Sequence, residues 1–159
     1  MKDMVSKEEM RARTLAFLKD TDTMVLSTVS ASGAPQAATM YFVPDDDFNL
    51  YFMTSSGSAK NKNLQSNANV AFVVGTGPAV MTIQGGGKAE PLDEHEALVF
   101  YGLIEKIASK SPWKWPILRL TTGKNTFRTF RVRPAWMTML HIGEPLDPDV
   151  PTDGFYKII

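Results

Sequence analysis

The chain has 159 residues, a length that suits one domain, and 43% of them are hydrophobic, enough for a core without disulfides or structural metal. Its 17 basic and 17 acidic residues balance, which argues against a general nucleic-acid or anionic-membrane binder. Cysteine is absent, so disulfides, thiolate catalysis and cysteine-held metals are excluded together, and a cytoplasmic location is the expectation.

The start, Met1-Lys2-Asp3-Met4, lacks the basic and apolar regions of a signal peptide. Nowhere does an apolar run reach the roughly 18 residues of a membrane span. Ser6 and Glu9 have capping-box spacing, and Met10, Thr14, Phe17 and Leu18 fall on one face of the helix that follows. Thr21-Asp22 ends it. Met24–Val29 then reads as a strand, residues 30–35 as a turn, residues 36–43 as a second strand and Leu50–Met53 as a third. Asp45 to Asp47 between them are either a metal site or a solvated turn, and the turn is the simpler reading because Asp serves turn backbones.

Residues 57–67 predict a short helix and Val70–Val74 a buried strand. Gly77-Pro78 is a turn, and residues 79–90 are extended around Gly85-Gly86-Gly87, a run that signals either a bulge or close approach by a cofactor. From 93 to 107 the period is helical, with Ala97, Phe100, Tyr101, Ile104 and Ile107 as an apolar stripe for core or dimer packing. Residues 110–124 carry Trp113 and Trp115 and predict a short second helix. Residues 126–140 are a long last strand in which Pro134 requires an edge or a bulge. The domain reading is a single unit over 1–159, with a helical insertion at about 93–122 and an irregular tail at 143–159 whose apolar end docks. Many short strands joined by turns favour an antiparallel barrel.

The chemistry concentrates after the third strand. Met53-Thr54 leads through Ser55-Ser56-Gly57 into a helix at Ser58-Ala59-Lys60. Free N–H groups at a helix start attract anions, hydroxyls of Thr54 and Ser58 can donate, and Lys60 and Lys62 add positive charge. The alternative is that Ser58 only caps the helix and the lysines are a solvated face. His95 and His141 are far apart and form no metal motif; His141 is a packed or surface residue, a proton donor or a haem ligand.

The stretch from Leu26 to Leu92 resembles the pyridoxamine 5′-phosphate oxidase-like family of flavin-binding split barrels. Residues 26–35, 50–54, 57–64 and 67–71 carry the likeness, joined by Gly87-Lys88-Ala89-Glu90 and by residues 130–136 from Phe130 to Trp136. The resemblance implies a mainly β fold with peripheral helices: a six-stranded antiparallel split β-barrel of Greek-key type. It also implies a homodimer with FMN in clefts at the subunit interface. Ser58 and Lys60 match the family's phosphate ligands, with Lys62 beside them. Met53-Thr54 matches the segment flanking ribityl and phosphate, and Ala38-Thr39-Met40 the strand along the flavin. Gln84 and Trp136 match positions by which the partner closes the cleft.

Ala59, Ala38 and Val43 stand where the oxidase itself usually has basic residues, and residues 147–159 lack the Arg and His that grip its vitamin substrate. The departures point away from a vitamin B6 oxidase proper and toward weaker flavin affinity. The expected function is an FMN-binding oxidoreductase acting on a small molecule or electron donor, with no nucleic acid and no membrane as partners. The competing readings are a flavin-carrying or flavin-sensing protein without turnover, and a relative that uses deazaflavin or haem. A flavin supplies its own redox chemistry, so no catalytic side chain is nominated.

Overall fold

A computed structural model describes residues 6–75, 81–108, 126–141 and 155–159. Helix α1 (Lys7–Asp20) opens with Ser6 Oγ accepting from the Glu9 N–H at 3.1 Å. The Glu9 carboxylate, expected to reach back to Ser6, instead takes Arg13 Nη2 at 2.7 Å, so the capping box is half made. Met10, Thr14 and Leu18, spaced by four, are buried, and Phe17 packs at the margin of the same core.

The strands are β1 (Thr23–Val29), β2 (Pro35–Tyr41), β3 (Val43–Pro44), β4 (Leu50–Ser55), β5 (Asn69–Val74), β6 (Met81–Pro91), β7 (Phe127–His141) and β8 (Phe155–Lys157). Helix α2 (Ala59–Ser66) joins β4 to β5, and α3 (Glu94–Ala108) follows β6. Every pairing is antiparallel, in the order β2-β1-β5-β6-β7-β4-β3, with β8 added to β7. The two ends of that order, β2 and β3, are separated in sequence only by Phe42. They are one bent strand that pairs β1 with its first part and β4 with its last, and it closes the sheet. Counted this way the barrel has the six expected strands, and α2 carries the chain from β4 across to β5 beside β1, a Greek-key connection.

Alternation sends Met24, Leu26, Phe72, Val74, Met137 and Met139 into the barrel. Strand β4 is buried on both faces: Leu50 and Phe52 point into the barrel, while Tyr51 and Met53 lie under α3 with Phe100 and Ile104. Only part of the expected α3 stripe packs inward. Tyr101 is 46% exposed, and Leu98 and Val99 stand outward with it at 66% and 53%.

The glycine run and Pro134 meet at one irregularity. Gly86 pairs with Trp136 but Gly87 with Pro134, so Ala135 is the extra residue of a bulge in β7. Pro134 also lies between the last β4 partner, Val132, and the first β8 partner, Thr138, where β7 needs no N–H on that side. A Cβ at Gly85 would fall 2.2 Å from the Phe72 ring, at Gly86 2.7 Å from Trp136 Nε1, and at Gly87 2.0 Å from the Arg133 carbonyl oxygen. The three glycines therefore make room for the protein's own aromatics and backbone, which accounts for the run by the bulge and close internal packing.

In the tail, Phe155–Lys157 pair with β7 and Ile158 is buried in the barrel core. The expected turn at Gly77-Pro78, the short helix at 110–124 with Trp113 and Trp115, and residues 143–154 lie outside the described residues. No described helix is long and apolar enough to cross a membrane.

Candidate functional site

The loop from β4 to α2 is fixed from several sides. The Ser56 N–H donates to the Thr126 carbonyl at 2.9 Å, and the Ser58 N–H to the Ser55 carbonyl at 3.0 Å. Asn61 Nδ2 donates to the Ser56 carbonyl at 2.6 Å. Ser58 caps α2: its Oγ accepts from the Asn61 N–H at 3.1 Å and lies 2.9 Å from Thr54 Oγ1. Capping and anion binding were alternatives in the sequence; the geometry shows the cap and leaves a hydroxyl donor over. The two hydroxyls own two hydrogens and spend one between them, so one O–H is left to donate whichever of them is the donor.

By position, the N–H groups of Ala59 and Lys60 in the first turn of α2 have no intrahelical acceptor. Gly57, just before the helix, borders open space: a Cβ there would meet nothing within 4 Å. Lys60 is half-buried at this turn and Lys62 is exposed further along. A leftover hydroxyl donor, two first-turn amides and a lysine beside open space suit a phosphate. Thr54 and Ser58 are thus brought together, and Lys60 follows two residues on in the first turn of α2.

Asn63 was not found from the sequence. Its Nδ2 donates to Thr28 Oγ1 and to Gln36 Oε1, both at 2.9 Å, and ties α2 to β1 and β2. The signal was present in the composition of α2: Leu64 is its one large apolar residue, so the helix has to be held through polar contacts.

The remaining nominated residues lie on the sheet. Thr39, level with Val25, is exposed, and Gln84, level with Val73 and Thr138, is half-buried. Trp136 stands level with Gly86, Ala71 and Ser27 and is 45% exposed. These rows run across one outer face, with small residues at Ser27, Ala71 and Gly86. Ala38 pairs with Leu26 and is half-buried, Met40 is in the barrel core, and Met53 is under α3. A ligand at Met40 or Met53 would therefore meet backbone, not side chain.

A polar network holds α3. Arg131 Nη2 lies 3.1 Å from Glu96 Oε1 and 3.4 Å from Glu90 Oε2, and Arg133 Nε donates to Glu90 at 2.9 Å. Burial works to raise the Glu90 carboxyl, but hydrogen bonds and charge from Arg131 and Arg133 outweigh it and leave the group below its ordinary value. Tyr51 donates to Asp45 Oδ2 at 2.9 Å, and burial, then Asp45, push its hydroxyl up. Asp45 also accepts from the N–H groups of Asp47 and Asn49, each at 2.9 Å, so the acidic run is a turn built on this carboxylate. Among the described residues no cluster of His, Asp or Glu is arranged to hold a metal.

A closed antiparallel barrel with a hydroxyl-lined helix start beside its wall defines a split-barrel protein. The family model for pyridoxamine 5′-phosphate oxidase matches residues 10–141, and the chain belongs to that family. No curated protein matches it. A protein of unknown function from Agrobacterium tumefaciens is similar in structure, with 18% identity and a TM-score of 0.67 over 82% of this chain and 56% of that one. The haem storage protein HutZ of Vibrio cholerae has 18% identity and a TM-score of 0.63, covering 82% of this chain and 92% of its own. A haem-binding protein of Mycobacterium smegmatis has 17% identity and a TM-score of 0.62, covering 89% and 57%. The chain thus spans little more than half the length of the Agrobacterium protein.

Proposed function

We propose that this chain, as a single domain over its length, is an FMN-binding oxidoreductase of the split-barrel class that acts on a small molecule as a homodimer. The carrying observation is the Thr54–Ser58 hydroxyl pair at the start of α2, with one donor left over and open space at Gly57. Thr54, Ser58 and Lys60 hold the phosphate, and Lys62 adds charge further out. Thr39 and its neighbours Ala38 and Met40 line the ring through backbone, Met53 flanks the ribityl chain through backbone, and Gln84 and Trp136 close the cleft of the partner. The flavin supplies hydride and electron transfer when bound; the protein orients it and limits access to it.

The test is the absorption spectrum of the natively purified protein, followed by FMN titration. Flavin bands and saturable binding are expected. Lys60→Ala should weaken FMN by about 1.5–3 kcal/mol, the scale of a hydrogen bond to a charged group. Equal dissociation constants for the two proteins would remove Lys60 from the site. A second reading, haem binding, has the names of the Vibrio and Mycobacterium proteins in its favour. A Soret band in place of flavin bands would replace the first reading with it.

A further inference from the structure

Helix α2 carries the candidate phosphate turn, yet it has little apolar surface with which to hold its place. Leu64 is its one large apolar residue, and its other buried residues are the amides Asn61 and Asn63. The two amides do different work. Asn61 Nδ2 turns back to the Ser56 carbonyl at 2.6 Å and so stays within the loop. Asn63 Nδ2 reaches out of the helix and donates to Thr28 Oγ1 and to Gln36 Oε1, each at 2.9 Å. Among the described residues these are the only side-chain hydrogen bonds from α2 to the sheet. The two acceptors face each other across the β1–β2 ladder, and Thr28 is fully buried there.

A side chain held at two acceptors fixes the helix against rotation as well as sliding. Asn63 lies three residues after Lys60, and residues so spaced are neighbours on one side of a helix. A turn of α2 about its axis would therefore swing Lys60 and the first-turn N–H groups with it. The far end of the contact matters equally. Gln36 precedes Ala38-Thr39-Met40 on β2, and at the rise of a strand Thr39 lies about 10 Å further on. Asn63 thus joins the turn proposed to hold the phosphate to the strand proposed to run along the ring. We propose that Asn63 is a positioning residue for phosphate recognition. Through Thr28 and Gln36 it sets the height and rotation of α2, so that Lys60 and the first-turn amides meet the phosphate of a ligand whose ring lies on β2. It touches no ligand itself. The inference rests on the flavin reading and adds to it the residue that places the phosphate turn.

The measurement is a pair of titrations of the full chain, with FMN and with riboflavin, whose ratio of dissociation constants isolates the contribution of the phosphate. Wild type should prefer FMN. Asn63→Leu, similar in size but without donors, should weaken FMN about tenfold, the low end for losing a hydrogen bond to a charged group, and leave riboflavin affinity unchanged. Gln36→Leu, at an exposed position, should weaken FMN about threefold, the scale of one neutral hydrogen bond, again with riboflavin unchanged. That surface variant decides the matter should Asn63→Leu fold poorly. Equal losses for the two flavins would make the contact a general structural one, and an unchanged ratio would remove it from phosphate recognition; either result overturns the proposal while FMN binding by wild type stands. A wild type that binds neither flavin, or both alike, would overturn the phosphate reading of α2 itself, and this inference with it.

Discussion

Ser58 carries two loads that can be separated. As the N-cap of α2 it accepts from the Asn61 N–H; as half of the Thr54 pair it leaves a hydroxyl hydrogen for a ligand. Alanine at a cap costs about 1 kcal/mol, glycine only a few tenths. Ser58→Gly should therefore hold its urea midpoint close to wild type yet bind FMN more weakly, whereas Ser58→Ala should lose both. A Ser58→Gly protein with unchanged FMN affinity would confine the residue to capping. This duality was visible as two alternatives in the sequence, because a Ser before a helix start reads the same in either role. Thr54 was nominated beside it; what was hidden was the hydrogen bond between the two, made across a turn whose path no periodicity describes. Glu90 was hidden for a similar reason, since its partners come from β7, some forty residues on. A carboxylate held below its ordinary value of 4.5 adds stability that is complete above that pH and is lost as pH falls through the lower folded value. Glu90→Gln should flatten the acid limb of a stability-against-pH curve and leave neutral and alkaline behaviour alike in shape. An unaltered acid limb would show that the Arg131–Glu90 contact is thermodynamically idle, as exposed pairs often are.

At the scale of elements, the β6–β7 ladder shows what a glycine run is for. Gly87 faces backbone, the Arg133 carbonyl, which cannot swing aside; Gly57 faces open space. Gly87→Ala is expected to destabilise by about 1–3 kcal/mol, the usual cost of overpacking, and Gly57→Ala to fall within about 0.5 kcal/mol of wild type. Chemical denaturation of the two proteins checks the contrast, and equal midpoints would mean that the bulge relaxes freely. Strand existence was legible up to β7 because short β-branched runs alternate with turn clusters; β8 was missed, since Phe155–Lys157 lie in a tail read as irregular and become a strand only by pairing with β7. The inward and outward faces of α3 were not. Phe100 and Tyr101 are adjacent and both aromatic, and only the position of β4 beneath the helix decides that Phe100 is buried and Tyr101 is 46% exposed. The bent β2/β3 strand was likewise unreadable in detail: its closure of the barrel depends on a one-residue interruption at Phe42, which looks in sequence like continuous strand.

At the scale of the molecule, the outer sheet face calls for a partner. Ser27, Ala71 and Gly86 form one row that ends in the half-exposed Trp136, and Val25, Val73, Gln84 and Thr138 form the next. Small side chains leave such a face flat, and a flat, partly apolar face is easily matched by its own copy about a twofold axis. Of the α3 stripe read as core or dimer packing, Phe100 and Ile104 are spent inside, at 0% and 2% exposure, while Tyr101 stays outward with Leu98 and Val99. The sheet face is thus a second candidate surface beside the outward side of α3. Sedimentation should show a dimer at micromolar concentration with or without FMN. Ala71 is exposed at the middle of the face, so Ala71→Arg should leave the fold intact, with unchanged circular dichroism, while its bulk and charge would disrupt an interface built on this face. The variant should sediment as a monomer. If FMN lies in a cleft between subunits, it should also bind FMN more weakly, although Thr54, Ser58 and Lys60 are untouched. A variant that stays dimeric would move the interface off this face. A monomer with full FMN affinity would place the whole flavin site within one chain and leave Gln84 and Trp136 without a role in it.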